Sequence, residues 1–547
     1  MDHLKKLLAI NYKIEATDVS SIDGYANANF KVETGDGKKY ILKKQRNHQG
    51  TEEYIEAESK IMALLSSSIP GKFQNPIKNI NQSFITKLDE EKDSIYRLIS
   101  WIEGDFLYEA EQSSNLLASF GKFLSEMNIV LLNQQNHCIE ARYIDWDLQN
   151  LLELEARLSL IKDARLKKLI HHFILQFKEN VVPVYPHLRK SIIHNDANDW
   201  NVLTKDNEVS GIIDFGDLIY APLIQELAVA LTYVVLDKDD PLIIAAEVIR
   251  AYAHILPINE QEVDILYYLV AGRMCMSLLN LAFTTSQFPE NNYLYVSERQ
   301  VQKLIGKWIS INPEMACIVF RKAAGLPQKK VESAAETLAK RNIHISRVQS
   351  VSYEAPIKMT GAAFQYMYDA YGNTFLDAYN NIPHVGHQHP EVVEAGQRQM
   401  ARLNTNTRYL YDQLAEYAGK LLAKFPKPLN KVFFVNSGSA ASDLAIRLAQ
   451  TYTGFRDIAV LEHGYHGHTR LGIDISHYKF GSKGGRGKAD YIVTVPIPDT
   501  YHGKYAINDE TAGKSYALEA TYLISRNQCQ VAAFIAEPIV GAPVRYR

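Results

Sequence analysis

The sequence predicts two domains of different fold class, an α+β domain over residues 1–320 and an α/β domain over residues 346–547. Short apolar alternations around turn residues fill residues 1–105, helical periodicity dominates residues 106–320, and strands alternate with helices from about residue 346. A chain of 547 residues also exceeds what one ordinary core supports. The polar, Ala/Lys/Glu-rich residues 321–345 predict a helical connector between the domains.

The composition, with 46% hydrophobic and 22% charged residues, is typical of a globular protein in water. A formal net charge of -3 argues against a nucleic-acid binder, which needs a basic face. The cysteines lie too far apart for a CxxC motif and are too few for a disulfide framework, so we expect a reducing, cytoplasmic environment. They are Cys138, Cys275, Cys317 and Cys529.

No segment predicts a signal peptide or a membrane span. The first residues, MDHLKKLLAINYKIEATD, contain only a four-residue apolar run before polar residues return. The apolar stretch from Leu223 to Leu236 is interrupted by Gln225 and Glu226, which predicts a buried helix instead.

The first part of the α+β domain is predicted to contain hairpins and one helix. In FKVETGDGKKYILKK, the apolar residues Phe30 and Val32, then Tyr40 and Leu42, alternate on either side of turn residues 35–37. The helix is predicted in EEYIEAESKIMALL, after this hairpin. The rest of the domain is predicted to be mostly helical, as in LLELEARLSLIKDARLKKLIHHFILQF.

The stretch IIHNDANDWNVL carries the strongest chemical signal in this domain. Asp196 follows His194 by two residues, Asn201 follows Asp196 by five, and Asp214 lies in GIIDFGD. This spacing serves phosphoryl transfer, which needs one carboxylate beside the incoming hydroxyl, and an amide oxygen with a second carboxylate around Mg²⁺. We therefore predict that Asp196 deprotonates a hydroxyl, that Asn201 and Asp214 bind metal, and that His194 braces the loop. The alternative is that these residues only form turns and helix caps.

An upstream lysine and glutamate are expected to complete the phosphate site. Lys43 in YILKKQ can reach the α- and β-phosphates of a nucleotide, and Glu58 on the following helix can hold that lysine. Lys44 and Glu56 are close neighbours, so solvated helix charges are an alternative interpretation. No G-x-G-x-x-G precedes Lys43, and only Gly24 is placed to form a short turn over the phosphates.

Together these motifs resemble the aminoglycoside phosphotransferase and choline kinase-like family over residues 1 to about 320. The resemblance implies a protein-kinase-like fold with an N-lobe over 1–105 and a C-lobe over 106–320, and ATP or GTP as the nucleotide. It also implies that backbone from Ser100 to Ile102, in YRLISWIEG, contacts the nucleotide base. Members of this family phosphorylate small hydroxylated amines rather than proteins.

The second domain carries a candidate anion site in VFFVNSGSAASDLAIRLA. The pattern predicts a strand, a tight turn and a helix, and the backbone N–H groups of Gly438 and Ser439 at the helix N-terminus would bind an anion. LEHGYHGHT adds Tyr465 and His466 after another strand, and AAFIAEPIVG adds Glu537 after a third. Strand ends that converge on one crevice are where such sheets bind ligands.

Two alternatives apply to this region. Many α/β domains have a glycine turn between a strand and a helix without binding phosphate there. The histidines in IPHVGHQHP offer a zinc site, although no carboxylate or cysteine is placed nearby. They are His384, His387 and His389.

From about residue 350 to 540 the sequence resembles the class III aminotransferases, and within them the phospho-lyase branch. The matching stretches include NNIPHVGHQHP, LNTNTRYLYD, NSGSAASDLA, YHGH, DISHYKF and PDTYHGKY. The resemblance implies the fold type I of pyridoxal-phosphate-dependent transferases, here incomplete, and a homodimer. It implies that Gly438 and Ser439 hold the cofactor phosphate, with Tyr465 stacked on the pyridine ring and Glu537 near it. Ala440 and Ser442 depart from the family pattern.

A kinase and a phospho-lyase in one chain imply consecutive steps, because phosphorylation turns a hydroxyl, a poor leaving group, into a good one. The expected substrate is an amino alcohol or a hydroxylated amino acid such as hydroxylysine or ethanolamine. Two alternatives remain: a kinase joined to an ω-transaminase, and a kinase joined to a dimerising scaffold without catalysis.

The end of the sequence predicts that the lyase domain is incomplete. In the class III family the cofactor-binding lysine follows the Glu-Pro strand by tens of residues, whereas this sequence ends in EPIVGAPVRYR. No lysine follows Lys514, and neither Lys504 nor Lys514 lies in the family's lysine motif. We therefore expect a working kinase and a lyase domain that forms no Schiff base.

Overall fold

The computed structural model describes residues 1–22, 28–88, 91, 93–287, 298–526 and 530–541. Gly24, Cys529 and the terminal APVRYR lie outside the described residues. The chain divides into two compact units, Met1–Asn404 and Thr405–Arg547. The first 59 residues of the predicted second domain, 346–404, therefore pack with the first domain, for reasons given below.

The first unit contains helices and strands along its whole described length. Its helices are α1 Asp2–Tyr12, α2 Thr51–Ser68, α3 Ser114–Leu131, α4 His137–Glu140, α5 Ala164–Asn180, α6 Ile224–Val234, α7 Pro241–Ile255, α8 Glu260–Asp264, α9 Leu266–Gln287, α10 Glu298–Trp308, α11 Pro313–Ala323, α12 Ala334–His344 and α13 Pro390–Arg402. Its strands are β1 Ala16–Ile22, β2 Ala28–Thr34, β3 Lys39–Arg46, β4 Pro76–Ile77, β5 Thr86–Lys87, β6 Ser94–Ser100, β7 Asp105–Phe106, β8 Lys190–Ile193, β9 Val202–Lys205, β10 Glu208–Ile212, β11 Ile219–Pro222, β12 Met359–Ala363, β13 Tyr366–Asp369 and β14 Thr374–Leu376. Three 3-10 helices complete it, Leu148–Leu160, Tyr185–His187 and Phe215–Asp217.

The N-lobe is an antiparallel sheet in the order β1-β2-β3-β6-β4, with β5 also paired to β6. The predicted hairpin is confirmed, since Phe30 pairs with Leu42 and Val32 with Tyr40 across β2 and β3. The prediction of a single helix here was wrong. The first residues form α1, because Leu4, Leu7 and Leu8 recur at helical spacing and pack on the sheet residues Val32 and Leu42.

The C-lobe is mainly helical, as predicted. Every residue of α6 is buried, which confirms the interpretation of the stretch after Leu223. Within the described residues, α9 is the one helix long and apolar enough to cross a membrane, but 72% of its most apolar window is buried inside the protein. It is therefore a buried helix of the lobe. The helix α12 lies within the predicted helical connector.

Residues 346–404 join the first unit through buried contacts with the C-lobe. The sheet β12-β13-β14 places Ala363 and Tyr368 in the same hydrophobic core as the kinase-like helices. Asn312, which is buried at the start of α11, donates from Nδ2 to the Asp369 and Asn373 carbonyl oxygens at 2.9 Å each. Because these contacts cross the predicted connector, the compact unit extends beyond it.

Replacing Asn312 with alanine is expected to lower the free energy of unfolding by about 2–4 kcal/mol. The substitution leaves two carbonyl groups without their donor and removes the cap that accepts from the Glu314 amide at 2.9 Å. Chemical unfolding measures the change, with the exposed Asn133→Ala as a control expected within about 0.5 kcal/mol of the parent. A loss below about 1 kcal/mol would show that the docking of residues 346–404 contributes little.

The second unit contains helices packed around a small parallel sheet. The helices are α14 Asp412–Leu422, α15 Gly438–Thr453, α16 Arg470–Asp474, α17 His477–Phe480 and α18 Ala512–Ser525, and the strands are β15 Asp457–Leu461, β16 Ile492–Val495 and β17 Val531–Ile535. The sheet order is β16-β15-β17, and both pairings are parallel, as expected for an α/β domain.

One predicted strand of this unit, VFFV before Asn436, is not formed. Residues 432–435 have no strand partner, and Phe433 is 65% exposed. A strand needs a neighbouring ladder for its N–H and C=O groups, and in the described residues no segment supplies one here. The following helix, α15, begins at Gly438 as predicted.

Candidate functional site

The first candidate site lies where two loops of the C-lobe meet, after β8 and after β10. The Ile213 amide donates to the Asn201 carbonyl at 2.9 Å, which holds the two loops together. Asn201 donates from Nδ2 to the Asp196 carboxylate at 2.6 Å and to its carbonyl at 2.9 Å. The carboxamide oxygen of Asn201 is thereby the atom available to a cation, and with Asp214 it forms a hard oxygen donor set that fits Mg²⁺.

His194 connects the same two loops from inside the core. Its Nδ1 accepts from the Asp196 amide at 3.3 Å, and its Nε2 donates to the Ile213 carbonyl at 3.1 Å. The ring is fully buried against Phe215, and burial lowers the pKa of His194 to about 4, so the imidazole is neutral. These contacts support the predicted bracing role.

Glu226, which our sequence analysis did not assign to the site, supports the loop from α6. Its Oε2 accepts from the His194 amide at 2.5 Å and from the Asn195 amide at 3.4 Å. Asn195 has a φ of 66°, a left-handed conformation that asparagine tolerates better than most residues. Burial raises the pKa of Glu226 to about 7. The signal in the sequence was a glutamate inside an otherwise apolar helix.

The predicted ion pair between Lys43 and Glu58 is not formed. Lys43 Nζ lies 3.3 Å from Asp214 Oδ1, and its charge is the main reason that the pKa of Asp214 is lowered. Glu58 instead pairs at 2.7 Å with Arg97, and both side chains are buried. Arg97 is the register partner of Lys43 on β6, so it reaches α2 from the adjacent strand. Lys44, the alternative to Lys43, pairs with Glu91 at 2.6 Å.

The segment predicted to contact the nucleotide base follows β6. The Ser100 amide already donates to the Asn75 carbonyl at 2.9 Å, and the Trp101 amide donates to the Lys39 carbonyl at 3.2 Å. In the described part of the chain the Ile102 amide has no such partner. Of the two predicted residues, Ile102 is therefore the one whose amide can bind a base.

Arg273 is the main site residue that our sequence analysis missed. It lies on α9, is 1% exposed, and places Nη2 at 3.0 Å from Asp196 Oδ1. Its guanidinium also donates to the Trp146 carbonyl at 3.3 Å and lies 4.7 Å from the centre of that ring. Burial raises the pKa of Asp196, Arg273 opposes that rise, and nearby Asp217 and Asp214 add to it. The signal in the sequence was a single charged residue in the apolar α9.

Replacing Arg273 with methionine is expected to move the acidic limb of the kcat/KM profile to higher pH by about 1–3 units. The base must be deprotonated to act, and loss of the nearby cation raises its pKa further. Arg273→Lys keeps the positive charge, so its acidic limb is expected to lie close to that of the parent. The exposed Arg250→Met serves as the control. An unchanged limb in Arg273→Met would contradict the assignment of the base.

The second candidate site lies at the N-terminus of α15. Ser437 caps this helix by accepting from the Ala440 amide at 3.1 Å, and in the described residues the Gly438 and Ser439 amides have no partner. Ser439 Oγ accepts from the His468 amide at 3.0 Å. Gly467 has a φ of 131°, and a Cβ there would lie 2.8 Å from Ser439 Oγ, so glycine permits this close approach.

The other predicted residues of this site converge at the same ends of the sheet. The Tyr465 amide donates to Glu537 Oε1 at 2.7 Å, which joins the segments after β15 and β17. The His466 amide donates to Ser476 Oγ at 2.7 Å. The buried Nε2 of His466 has no partner in the described residues, and burial lowers the pKa of the His466 ring. Free amides, an open helix terminus and an unpaired imidazole nitrogen fit a phosphate-bearing group.

The alternative zinc site is not assembled. His387 pairs with Asp377 at 2.7 Å. The one cluster of possible metal ligands in the described residues, Glu155, His171 and Glu394, lies elsewhere and includes none of the three histidines.

Comparisons with known proteins match two separate parts of the chain. Residues 18–263 match the family model described as phosphotransferase enzyme family, and residues 348–543 match that of the class-III aminotransferases. A hydroxylysine kinase of Danio rerio is 26% identical over 303 residues, which cover 53% of this chain and 85% of that protein.

Two relatives match the second part of the chain. An alanine–glyoxylate aminotransferase 2-like protein of Drosophila melanogaster is 44% identical, over 38% of this chain and 43% of its own length. An ethanolamine-phosphate phospho-lyase homolog of Caenorhabditis elegans is 38% identical, over 40% of this chain and 49% of its own length. The chain thus spans less than half the length of both relatives.

Proposed function

Because residues 18–263 form a domain of the phosphotransferase enzyme family and residues 348–543 one of the aminotransferase class III, we propose a kinase joined to a phospho-lyase-like domain. The kinase transfers the γ-phosphate of ATP or GTP to the hydroxyl of a small amino alcohol or hydroxylated amino acid. The observation that carries this proposal is the arrangement of Asp196, Asn201 and Asp214 on two loops held together by backbone hydrogen bonds.

Each residue of the proposed kinase site has a role that its contacts support. Asp196, held by Asn201 and Arg273, orients the acceptor hydroxyl and takes its proton. Asn201 and Asp214 hold Mg²⁺, which neutralises charge on the nucleotide phosphates when bound. Lys43 contacts the phosphates, and Glu58 with Arg97 fixes α2 against the sheet beside it. Ser100 and Ile102 border the base, with Ile102 as the donor.

The kinase proposal is tested by offering the full chain a set of acceptors with ATP or GTP and Mg²⁺. Hydroxylysine, ethanolamine and choline represent the substrate class, and release of the nucleoside diphosphate with formation of the phospho-acceptor is measured. The name of the zebrafish relative makes hydroxylysine the first acceptor to test. Phosphorylation of none of these acceptors, in a folded preparation, would refute the proposal.

For the second domain we propose binding of pyridoxal phosphate and elimination of phosphate from the phosphorylated product. Gly438 and Ser439 would hold the cofactor phosphate through their amides, Tyr465 would cover the ring, and Glu537 would position Tyr465. His466 offers its unpaired imidazole nitrogen to the same site. The cofactor, when bound, supplies an electron sink for the carbon from which phosphate leaves.

Three outcomes separate the alternatives for this domain when cofactor and a phospho-amino alcohol are added. Release of inorganic phosphate supports the phospho-lyase, and transfer of an amino group to a keto acid supports an ω-transaminase. The absence of both reactions supports a scaffold. Borohydride reduction followed by peptide mapping tests whether any lysine of this chain binds the cofactor covalently.

We also propose that the chain forms a homodimer through its second domain and is cytoplasmic. The second unit exposes large apolar side chains, among them Leu410, Phe433 and Ile539. Light scattering is expected to give twice the chain mass, and a monomer at micromolar concentration would contradict the dimer. The three cysteines in the described residues are free thiols, which is consistent with a reducing compartment.

A further inference from the structure

A row of polar residues on α9 leads away from the proposed catalytic base. Arg273 and Asn280 are seven residues apart, so they lie on the same face of the helix, about 10 Å apart along its axis. Arg273 contacts Asp196 at one end of this row. At the other end, Asn280 donates to the Asp145 carbonyl at 3.3 Å and accepts from Arg157. The row therefore joins the catalytic loop to a second group of charges.

This second group is the ion pair of Asp145 and Arg157. The two side chains are hydrogen-bonded, and they are 40% and 17% exposed, so both retain surface that a ligand can reach. The Arg157 guanidinium also lies 4.2 Å from the centre of the Phe283 ring, which fixes its plane.

The backbone connects the Asp145–Arg157 ion pair to the residues around the proposed catalytic base. Asp145 directly precedes Trp146, and the Trp146 carbonyl accepts from Arg273 at 3.3 Å and from Asn195 Nδ2 at 3.2 Å. Trp146 is only partly buried, and one of its faces is covered by Arg273. A ligand chain that runs along Trp146 would thus extend from the pair to Asp196.

We propose that Arg157 and Asp145 form the subsite for the α-carboxylate and α-ammonium groups of an amino-acid acceptor whose hydroxyl, several carbons away, lies at Asp196. This inference rests on the proposed kinase function. A guanidinium binds a carboxylate through two parallel N–H groups, and a carboxylate accepts from an ammonium. An ion pair that remains partly open offers both charges to a zwitterion. The substrate is then a hydroxylated amino acid, and simple amino alcohols that lack the carboxylate are poor acceptors.

The test compares hydroxylysine with 1,5-diaminopentan-2-ol, the amino alcohol that is hydroxylysine without its α-carboxylate, in the full chain. In the parent, kcat/KM is expected to be at least 100-fold higher for hydroxylysine. Arg157→Met is expected to reduce kcat/KM for hydroxylysine about 100-fold, mainly through KM, and to change that for the amino alcohol by less than 3-fold. Asp145→Asn is expected to act in the same direction by about 10-fold. Arg250→Met, on the surface of α7, is the control for loss of an arginine.

Arg157 also packs on Phe283, so Arg157→Met is paired with Arg157→Lys, which keeps the charge but not the two parallel donors. Thermal unfolding of each variant identifies a loss of structure. If Arg157→Met does not fold, Arg157→Lys tests the subsite instead, and the subsite predicts that this variant has a higher KM for hydroxylysine and an unchanged KM for the amino alcohol. Equal losses for both acceptors, or an unchanged KM for hydroxylysine in the folded variant, would overturn the subsite while leaving the kinase intact. Phosphorylation of neither acceptor by the parent would overturn the subsite, and it would refute the kinase proposal as well if ethanolamine and choline were also not phosphorylated.

Discussion

Replacing Asp196 with asparagine is expected to lower kcat for acceptor phosphorylation about a thousandfold. Asparagine keeps the shape of the side chain but only one of its two oxygens, of which Oδ1 accepts from Arg273 and Oδ2 from Asn201, and it cannot take the proton of the acceptor hydroxyl. The nucleotide site does not include this side chain, so nucleotide affinity is expected to stay within about threefold of the parent. Single-turnover assays and nucleotide titration measure the two quantities separately.

The control for this variant is Asp206→Asn, an exposed turn residue in the same lobe. It makes the same chemical change away from the two loops, and its kcat is expected to match the parent. Near-parental turnover by Asp196→Asn would remove the assignment of Asp196 as the base, whereas a joint loss of nucleotide binding would indicate a structural role.

Replacing Asp214 with alanine is expected to abolish phosphorylation, because loss of the metal removes several kcal/mol of transition-state stabilisation, or at least about a thousandfold in rate. Asp214 has a φ of 63°, which alanine adopts at a cost, so Asp214→Asn is the companion variant that tolerates this backbone. Both variants are assayed across a range of Mg²⁺ concentrations. Excess Mg²⁺ is expected to rescue either of them poorly.

Nucleotide binding through Lys43 gives a second measurement of the role of Asp214. It lies against Asp214 in this structure, so removal of the carboxylate leaves its ammonium free for phosphate. Nucleotide without Mg²⁺ is therefore expected to bind Asp214→Asn at least as tightly as the parent. The surface variant Asp18→Ala controls for the loss of an aspartate. Full activity of Asp214→Asn at ordinary Mg²⁺ would show that another residue holds the metal.

Local features of both domains were predictable from the sequence because each depends on residues that are close along the chain. The pairing of Phe30 with Leu42 follows from alternation around a short turn, and the buried α6 follows from an apolar run of helical length. The two loops of the first candidate site were predictable because all their predicted residues fall within a short stretch of sequence, His194, Asp196, Asn201 and Asp214. The start of α15 at Gly438 required only a capping serine and a periodic helix.

Features that depend on two distant segments were not predictable in this way. The strand predicted over residues 432–435 did not form, since a strand depends on a neighbour that its own residues do not encode. Glu58 pairs with Arg97 on β6 rather than with Arg97's register partner Lys43 on β3, and the residues around Lys43 do not encode which strand supplies the cation.

Residue order alone was enough to predict the two loops that carry Asp196 and Asp214 and a second domain of α/β class. The folded structure was needed to show that Arg273, 77 residues from Asp196, lies beside that carboxylate. It was also needed to show that Asp145 and Arg157 contact Asn280, on the same face of α9. It also decided that residues 346–404 pack on the C-lobe. The physical reason is that ion pairing, burial and pKa depend on distance through space and on the surrounding dielectric, and both are set by packing between segments remote in sequence.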